Sequence, residues 1–234
     1  MKLDNATVLI TGANRGIGLA FAKAALARGA RQVYAGARDP KSVTLPGVTP
    51  IRLDVNSPDE IAAAVRVAGD VTVVINNAGI AQFGDLLAQD AEACLRQQLE
   101  TNVIGVLRVS QAFAPVLAAN GGGALLNVAS VASWITSPVL AGYAVTKSAT
   151  WSLSNGLRNA LRGQQTQVLT LHMAFVDTDM TQRIAAPKST PEDIVARAFD
   201  ALEACADEVL ADEMTQRVKL GLSAQPGVYL QARE

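Results

Sequence analysis

Ser130, Tyr143 and Lys147 are the residues whose types and spacing first suggest chemistry. Ser130 stands thirteen residues before Tyr143, and Lys147 follows four residues after it in Tyr-Ala-Val-Thr-Lys. Residues i and i+4 share a helix face, so a helix running from about Pro138 points the phenol and the ammonium the same way. A neighbouring cation favours the phenolate, which would make an acid/base at neutral pH of a group that ordinarily ionises near pH ~10. Lowering it by about three units takes roughly 4 kcal/mol of differential stabilisation. Lys147 alone hardly supplies that, so a second positive charge is expected beside the phenol. Ser133 is a rival hydroxyl, but its ten-residue spacing to Tyr143 fits less well.

The rest of the chain must position these groups. With 234 residues, half of them hydrophobic, it is long enough for one large core, and a single α/β domain over residues 1–234 is the economical solution. Twenty basic residues against twenty-one acidic ones leave no basic stripe for a phosphate backbone, which argues against a nucleic-acid partner. The two cysteines, Cys94 and Cys205, are too few for a disulfide framework or a four-ligand metal site. They are expected to be buried or half-buried thiols in a reducing compartment, and no metal is expected. Asp4 and Asn5 interrupt any signal-type apolar start, and no run approaches the roughly 20 apolar residues of a membrane span, so a cytoplasmic location is expected. The sole histidine, His172, has no matching nucleophile and acid for a triad and reads as a strand-end structural residue.

Thr7 to Ile10 has the composition of a strand buried on both faces. It leads into Thr11-Gly12-Ala13-Asn14-Arg15-Gly16-Ile17-Gly18 and a helix over Leu19 to Arg28, closed by Gly29. Strand, glycine loop and helix bring bare N–H groups and a positive helix end together, a cradle for a pyrophosphate. A Gly-rich turn without a ligand would use the same residues. The next strand, Gln32 to Ala37, ends at Arg38-Asp39. In dinucleotide folds an acidic residue about 20 positions beyond the glycines binds the ribose hydroxyls, whereas an Arg there accommodates a 2′-phosphate. Ala37 takes the acidic position and Arg38 the next, with Arg15 in the same corner. Two cations therefore favour NADP(H) over NAD(H), unless both are merely solvated surface charges. Asp39 reads equally as a loop residue. Pro40 to Pro50 is too short for a crossover helix, so a loop or single turn makes that crossing. Asp54 and Val55 end the strand that starts at Thr49; Asp54 either accepts a hydrogen bond from an adenine amino group or bonds neighbouring backbone.

A helix over Pro58 to Ala68, capped by Asn56 or Ser57, precedes the strand Val71 to Ile75. That strand ends in Asn76-Asn77-Ala78-Gly79, where open α/β sheets bind ligands, though Asn side chains also stabilise ordinary turns. Ala91 to Ala119 is a long helical stretch with Pro115 implying a kink or late break, and Asn102 lies inside its apolar pattern, where it must be satisfied. The strand Ala124 to Val128 ends at Ala129-Ser130, and a helix over Tyr143 to Leu161 precedes the strand Gln167 to Met173. Beyond the loop Phe175 to Met180 come a helix over Pro191 to Cys205, a strand over Glu208 to Ala211 and helical turns over Thr215 to Leu222. This alternation argues a doubly wound, mostly parallel sheet with helices on both faces.

Taken in order, the glycine loop, Asn76 to Gly79, Asn102, Ser130 and Tyr143-x-x-x-Lys147 resemble the short-chain dehydrogenase/reductase family over essentially the whole chain. Within it, the likeness is to bacterial NADPH-dependent carbonyl reductases. The resemblance implies a Rossmann-type sheet of seven strands ordered 3-2-1-4-5-6-7 and hydride transfer between NADP(H) and a ketone or secondary alcohol. It implies that Tyr143 exchanges the proton, Ser130 holds the reacting oxygen and Lys147 depresses the Tyr143 pKa. Asn102 would complete the catalytic set by keeping a kink and a water relay. Cofactor contacts would come from Gly12, Asn14, Arg15, Gly16, Ile17, Gly18, Arg38, Asp54, Val55, Asn77, Ala78, Gly79, Tyr143, Lys147, Val176 and Thr178. Phe83, Trp134, Ile135, Met173, Ala174, Phe175 and Met180, with Ser130 and Tyr143, would line an apolar substrate pocket suited to hydrophobic or aromatic ketones; these apolar residues would serve equally as core or interface. A homodimer or homotetramer built on helices 91–119 and 143–161 is expected. Alternatives are a non-catalytic NADP-binding regulator and a 3-oxoacyl-carrier-protein-type reductase. The chain departs from the family pattern at Met173-Ala174, where Pro-Gly is usual, and in the missing crossover helix after Arg38.

Overall fold

The computed structural model describes residues 1–230. In chain order its main elements are β1 (Thr7–Thr11), α1 (Gly16–Ala27), β2 (Gln32–Ala37), β3 (Thr49–Arg52), α2 (Pro58–Val67), β4 (Val73–Asn76), α3 (Ala91–Leu99) and α4 (Gly105–Ala119). They continue as β5 (Gly123–Val128), α5 (Ala141–Leu161), β6 (Thr166–His172), α6 (Pro191–Glu203), β7 (Glu208–Leu210) and α7 (Glu213–Leu220). The seven strands form one parallel sheet in the order β3-β2-β1-β4-β5-β6-β7, the order the resemblance implies.

Side chains alternate across a strand, and here both faces are buried. Val8, Ile10, Val73, Ile75, Leu126, Leu169 and Leu171 pack on one face beneath α1 and α6, whose Phe21 and Phe199 rings meet edge to face at 5.2 Å. Leu9, Val74, Leu125 and Val168 point to the other face, where α2, α4 and α5 contribute Ile61, Phe113 and Leu161. The strands therefore read as continuous apolar runs because neither face meets water.

Local signals hold at several joints. Ser57 caps α2 by accepting the Glu60 N–H at 3.3 Å, with Pro58 at the first helical position. Between β2 and β3 there is one 3₁₀ turn, Pro40–Ser42, as the short spacing requires. α1 begins three residues earlier than Leu19, so the second and third motif glycines form its first turn.

Three expectations are corrected. Pro115 does not break the long helix: α4 runs through it to Ala119, and the irregularity is instead a π-helical turn, Glu100–Ile104, between α3 and α4. Pro115 and Gln111, whose carbonyl loses its partner, both lie on the exposed face, where a carbonyl open to solvent carries no burial cost. Residues 91–119 form one helix of 29 residues, long and apolar enough by composition to cross a membrane, contrary to the reading of the bare sequence. In this fold its Val109, Phe113 and Leu117 are buried against the sheet. Cys94 is half-buried, but Cys205 is exposed, because it occupies a left-handed position (φ 58°) just after α6.

β4 and β5 enter the sheet beside each other through Gly123, whose φ is +138° and where a Cβ would overlap the Thr72 carbonyl oxygen. Gly123→Ala is expected to lower the unfolding free energy by about 2 kcal/mol or more. Urea denaturation checks this; a midpoint equal to the wild type's would show that the strand entry tolerates the side chain.

Candidate active site

The carboxyl ends of the strands open into a cavity of ≈ 1160 Å³, above the roughly 300–1,000 Å³ of an ordinary ligand pocket and centred where the strand order reverses between β1 and β4. Every residue named above as a cofactor or pocket contact lines it except Trp134. Asn102 does not line it either.

One end of the cavity is the glycine loop. α1 starts at Gly16 with extended Arg15 as its N-cap, and no side chain caps it, so its leading N–H groups are left for a ligand. Asn77 ties this loop to β4. Its amide donates to the Thr11 and Gly12 carbonyls at 2.9 and 3.2 Å, while the Thr11 hydroxyl accepts the N–H groups of Asn77 and Ala78, both at 3.0 Å. Gly18 is packed so tightly here that a Cβ would lie 2.6 Å from the Asn77 Nδ2 and overlap the Gly12 carbonyl. Asn76 faces inward instead, donating to Ser110 at 3.1 Å and Asn127 at 2.8 Å.

Arg38 is exposed on the cavity wall after buried Ala37. Asp39 is used locally: its Oδ1 accepts the Lys41 N–H at 3.0 Å as the cap of the 3₁₀ turn. Arg15 reaches across the mouth to Asp179 at 3.2 Å, with both side chains exposed. Asp54 lines the cavity but also bonds locally, its Oδ1 accepting the Asn56 N–H at 2.9 Å.

At the other end, Ser130, Tyr143 and Lys147 face the same space. Ser130 Oγ accepts the Ala132 N–H at 3.1 Å and donates to the Met173 carbonyl at 3.3 Å. Ser133 is turned away, donating to the Lys147 carbonyl at 3.0 Å inside the core. Lys147 is buried; its Nζ donates to the Val128 carbonyl at 2.7 Å and lies 5.5 Å from the centre of the Tyr143 ring. Burial lowers the Lys147 ammonium to about 8. Burial also pushes the Tyr143 phenol up from its ordinary value, with the Ser130 hydroxyl pulling the other way. Lys147 has no direct hydrogen bond to the phenol: its ammonium lies over the Tyr143 ring and spends its hydrogen bond on the Val128 carbonyl.

Asn102 sits in the π turn Glu100–Ile104, at the irregularity of the long helix where a kink is expected. Its side chain is saturated by protein, accepting the Ile80 N–H at 2.8 Å and donating to the Ile80 carbonyl at 2.8 Å and the Thr146 hydroxyl at 3.0 Å. Its carbonyl, within the π turn, accepts the Thr150 hydroxyl at 3.0 Å. It therefore positions the loop after β4 against α5, where the Thr146 hydroxyl donates to the Tyr143 carbonyl at 2.8 Å.

Met173-Ala174 forms the wall beside Ser130, and the Ala174 N–H donates to Asp212 Oδ2 at 2.7 Å. The other Asp212 oxygen caps α7 by accepting the Thr215 N–H at 2.8 Å. From α7, Met214 and Arg217 reach the cavity. Sequence reasoning missed these three. The Asp-x-x-Thr spacing signals a cap, but no local pattern shows which loop the second carboxylate oxygen holds. Trp134 is the corrected pocket residue: the 3₁₀ turn Val131–Ser133 carries it inward, where it stacks on His172 at 4.2 Å and meets Trp151 edge-on at 5.9 Å.

Comparison with known proteins agrees with this arrangement. Residues 6–189 match the family model described as short chain dehydrogenase. The chain is 33% identical over 194 residues to a galactitol 2-dehydrogenase (L-tagatose-forming) from Cereibacter sphaeroides, covering 78% of this chain and 76% of that protein. Among solved structures, a short chain dehydrogenase from Burkholderia cenocepacia J2315 in complex with NADP superposes with a TM-score of 0.92 at 34% identity, covering 97% of this chain and 96% of the other. A short chain dehydrogenase/reductase from Burkholderia phymatum in complex with NAD shares the fold, with a TM-score of 0.86 at 21% identity, covering 100% and 99%. On the strength of these matches and of the ordered motifs in one cavity, the chain belongs to the short-chain dehydrogenase/reductase family of oxidoreductases.

Proposed function

We propose that this oxidoreductase transfers a hydride between NADP(H) and a ketone or secondary alcohol, with hydrophobic or aromatic ketones as the preferred class. The observation that carries the reading is that Ser130, Tyr143 and Lys147 share one cavity with the uncapped N-terminus of α1. The residues fit a dinucleotide: the leading N–H groups of α1 lack a capping side chain, and Gly18 leaves room only for bare backbone. When bound, the nicotinamide supplies or accepts the hydride.

Each residue then has a defined task. Tyr143, whose phenol burial keeps protonated, donates the proton to the carbonyl oxygen in the direction of reduction. Ser130 donates a hydrogen bond to that oxygen as charge develops, giving up its weak 3.3 Å bond to the Met173 carbonyl. Lys147 presents its charge beneath the phenol. Phe83, Ile135, Met173, Phe175 and Met180 supply an apolar wall, which supports a hydrophobic substrate. Arg38, free of ion pairs among the described residues, and Arg15, held by an exposed pair that an incoming phosphate can displace, favour NADP(H); the 34% identical NADP-bound relative supports the same choice. Ile104 and Val145, exposed on the two long helices, support assembly into a homodimer or homotetramer.

Tyr143→Phe is expected to cut kcat by about 10²–10⁴-fold while NADPH affinity, read by fluorescence titration, stays within a few-fold; full turnover would remove the phenol from the mechanism. Arg38→Asp is expected to shift the ratio of kcat/KM for NADPH over NADH by at least about tenfold toward NADH, a change of about 1.4 kcal/mol, and an unmoved ratio would dismiss Arg38 as a phosphate ligand. For Lys147 the sign follows from linkage. Its folded value of about 8 lies below the ordinary 10.5, so between those pH values the unfolded chain holds a proton that the folded protein has released. Stability contributed by this group therefore rises with pH across that window, and the full cost of burying the ammonium remains below it. The Tm of the cofactor-free wild type, relative to Lys147→Met, should accordingly improve between pH 7.5 and 9.5; a flat difference would contradict the burial cost.

A further inference from the structure

Most charged side chains that line the cavity are engaged, and one is not. Arg15 and Asp179 pair with each other at 3.2 Å. Asp39 and Asp54 each accept a backbone N–H of their own turn, from Lys41 and Asn56. Arg38 is assigned above to the cofactor phosphate, and Lys147 is buried and bonded to the Val128 carbonyl. That leaves Arg217 of α7, exposed at the cavity, which makes neither an ion pair nor a side-chain hydrogen bond among the described residues. Glu213, four residues earlier, is its partner by helix spacing, yet the two do not pair. The other nearby carboxylates are taken: Asp212 by the N–H groups of Ala174 and Thr215 at 2.7 and 2.8 Å, and Glu208 by Lys219 at 2.9 Å.

The position of α7 sets which end of the cavity Arg217 serves. Arg15 and Arg38 follow β1 and β2, whereas α7 follows β7 at the opposite edge of the sheet. Asp212 fastens the start of α7 to Ala174, next to Met173, whose carbonyl accepts the Ser130 hydroxyl at 3.3 Å. Farther along, Lys219 lies over the Trp134 ring at 4.4 Å, just after the turn that follows Ser130. Thr215 and Val218 are buried against the core. Met214 and Arg217, three residues apart on another face of the helix, look into the cavity. A guanidinium thus stands at the substrate end, beside the apolar wall of Met173 and Phe175.

A single Arg beside an apolar wall favours one kind of anion. Its planar fork matches a carboxylate with parallel N–H···O bonds. A phosphate would call for more donors, and α7 offers none at its start because Asp212 caps it. We propose that Arg217 is a specificity-determining residue that pairs with a carboxylate borne on the apolar body of the substrate, so that the preferred substrates are hydrophobic or aromatic keto acids and the corresponding hydroxy acids. The inference rests on the reading of this site as one that interconverts ketones and secondary alcohols.

The test compares 3- and 4-acetylbenzoate with their methyl esters, which keep an electron-poor aryl ketone and remove the charge. With NADPH, kcat/KM for at least one acid is expected to exceed that of its ester by about 10- to 100-fold, with the difference residing in KM. In Arg217→Met the ratio of acid to ester is expected to fall to about one, and Arg217→Lys should keep part of it. Because the ratio compares two substrates on one protein, incomplete folding of a variant cancels. A wild-type ratio of about one for both acids, or a ratio that survives in Arg217→Met, would overturn the proposal. So would a loss of NADPH affinity in Arg217→Met as large as the loss on the acid, which would assign the guanidinium to the cofactor. Binding of acid and ester, read by ligand-observed NMR, needs no turnover. Tighter binding of the acid to the wild type but not to Arg217→Met would support the carboxylate site even if neither ketone were reduced, and equal binding would overturn it. Failure of the proposed activity is therefore distinguishable from failure of this assignment.

Discussion

Lys147 carries an ammonium into the floor of the cavity, where burial lowers its proton affinity to about 8 and its hydrogen bond goes to the Val128 carbonyl at 2.7 Å. A charge in that position is costly unless it is bonded, and the structure around it supplies the bond by fixing β5 against α5. Ser133 reaches from the turn after β5 to the Lys147 carbonyl, and Ser148 returns a bond to the Ser133 carbonyl at 2.9 Å. The end of β5 that carries Ser130 and the helix that carries Tyr143 are thereby held in one register.

A second set of buried polar groups holds that register from the other side. Asn76 and Asn127 bond across β4 and β5, Asn127 donates to Ser154 at 3.0 Å, and Ser154 and Thr150 donate back along α5. Thr150 also reaches the carbonyl of Asn102 in the π turn. Such a chain is favourable because nearly all its members are satisfied in a low-dielectric interior. Its effect is to set the rotation of α5 about its axis, which an apolar interface would specify less sharply. The π turn places Gly105 against Val55, where a Cβ would come within 2.7 Å of the valine side chain. The long helix thus contributes a polar staple at the site and an apolar face to the core.

The electrostatics follow from this packing more than from composition. The same burial that brings Lys147 down moves Tyr143 up, so in the protein alone the phenol keeps its proton and the amine holds its own less firmly. A positive charge brought in beside the phenol would act against that burial, which agrees with the estimate that Lys147 is insufficient by itself. On the substrate side, the Met173-Ala174 wall has an N–H that Asp212 takes up, and so the C-terminal β7–α7 unit becomes part of the site.

Much of this was legible in the residues themselves. Apolar runs of strand length, the glycines before α1, Ser57-Pro58 at the start of α2 and the i, i+4 spacing of Tyr143 and Lys147 are local facts, decided by backbone sterics, capping and helical period; they determined the doubly wound sheet, while the cavity residues named from the family resemblance make up about half of its lining. What tertiary structure decided depends on which surfaces meet. Trp134 is as apolar as Ile135 beside it, yet the turn after Ser130 sends one ring onto His172 and leaves the other side chain at the cavity. Pro115 looked like the break in the long helix, but its exposed face made it harmless while the buried Asn102 sits at the irregularity. Asp212 could be read as a cap from Thr215, whereas its second bond to Ala174 spans 38 residues. Sequence period specifies which way a side chain leaves its own element; burial, hydrogen-bond satisfaction and proton affinity depend on what lies opposite, and only the folded chain sets that.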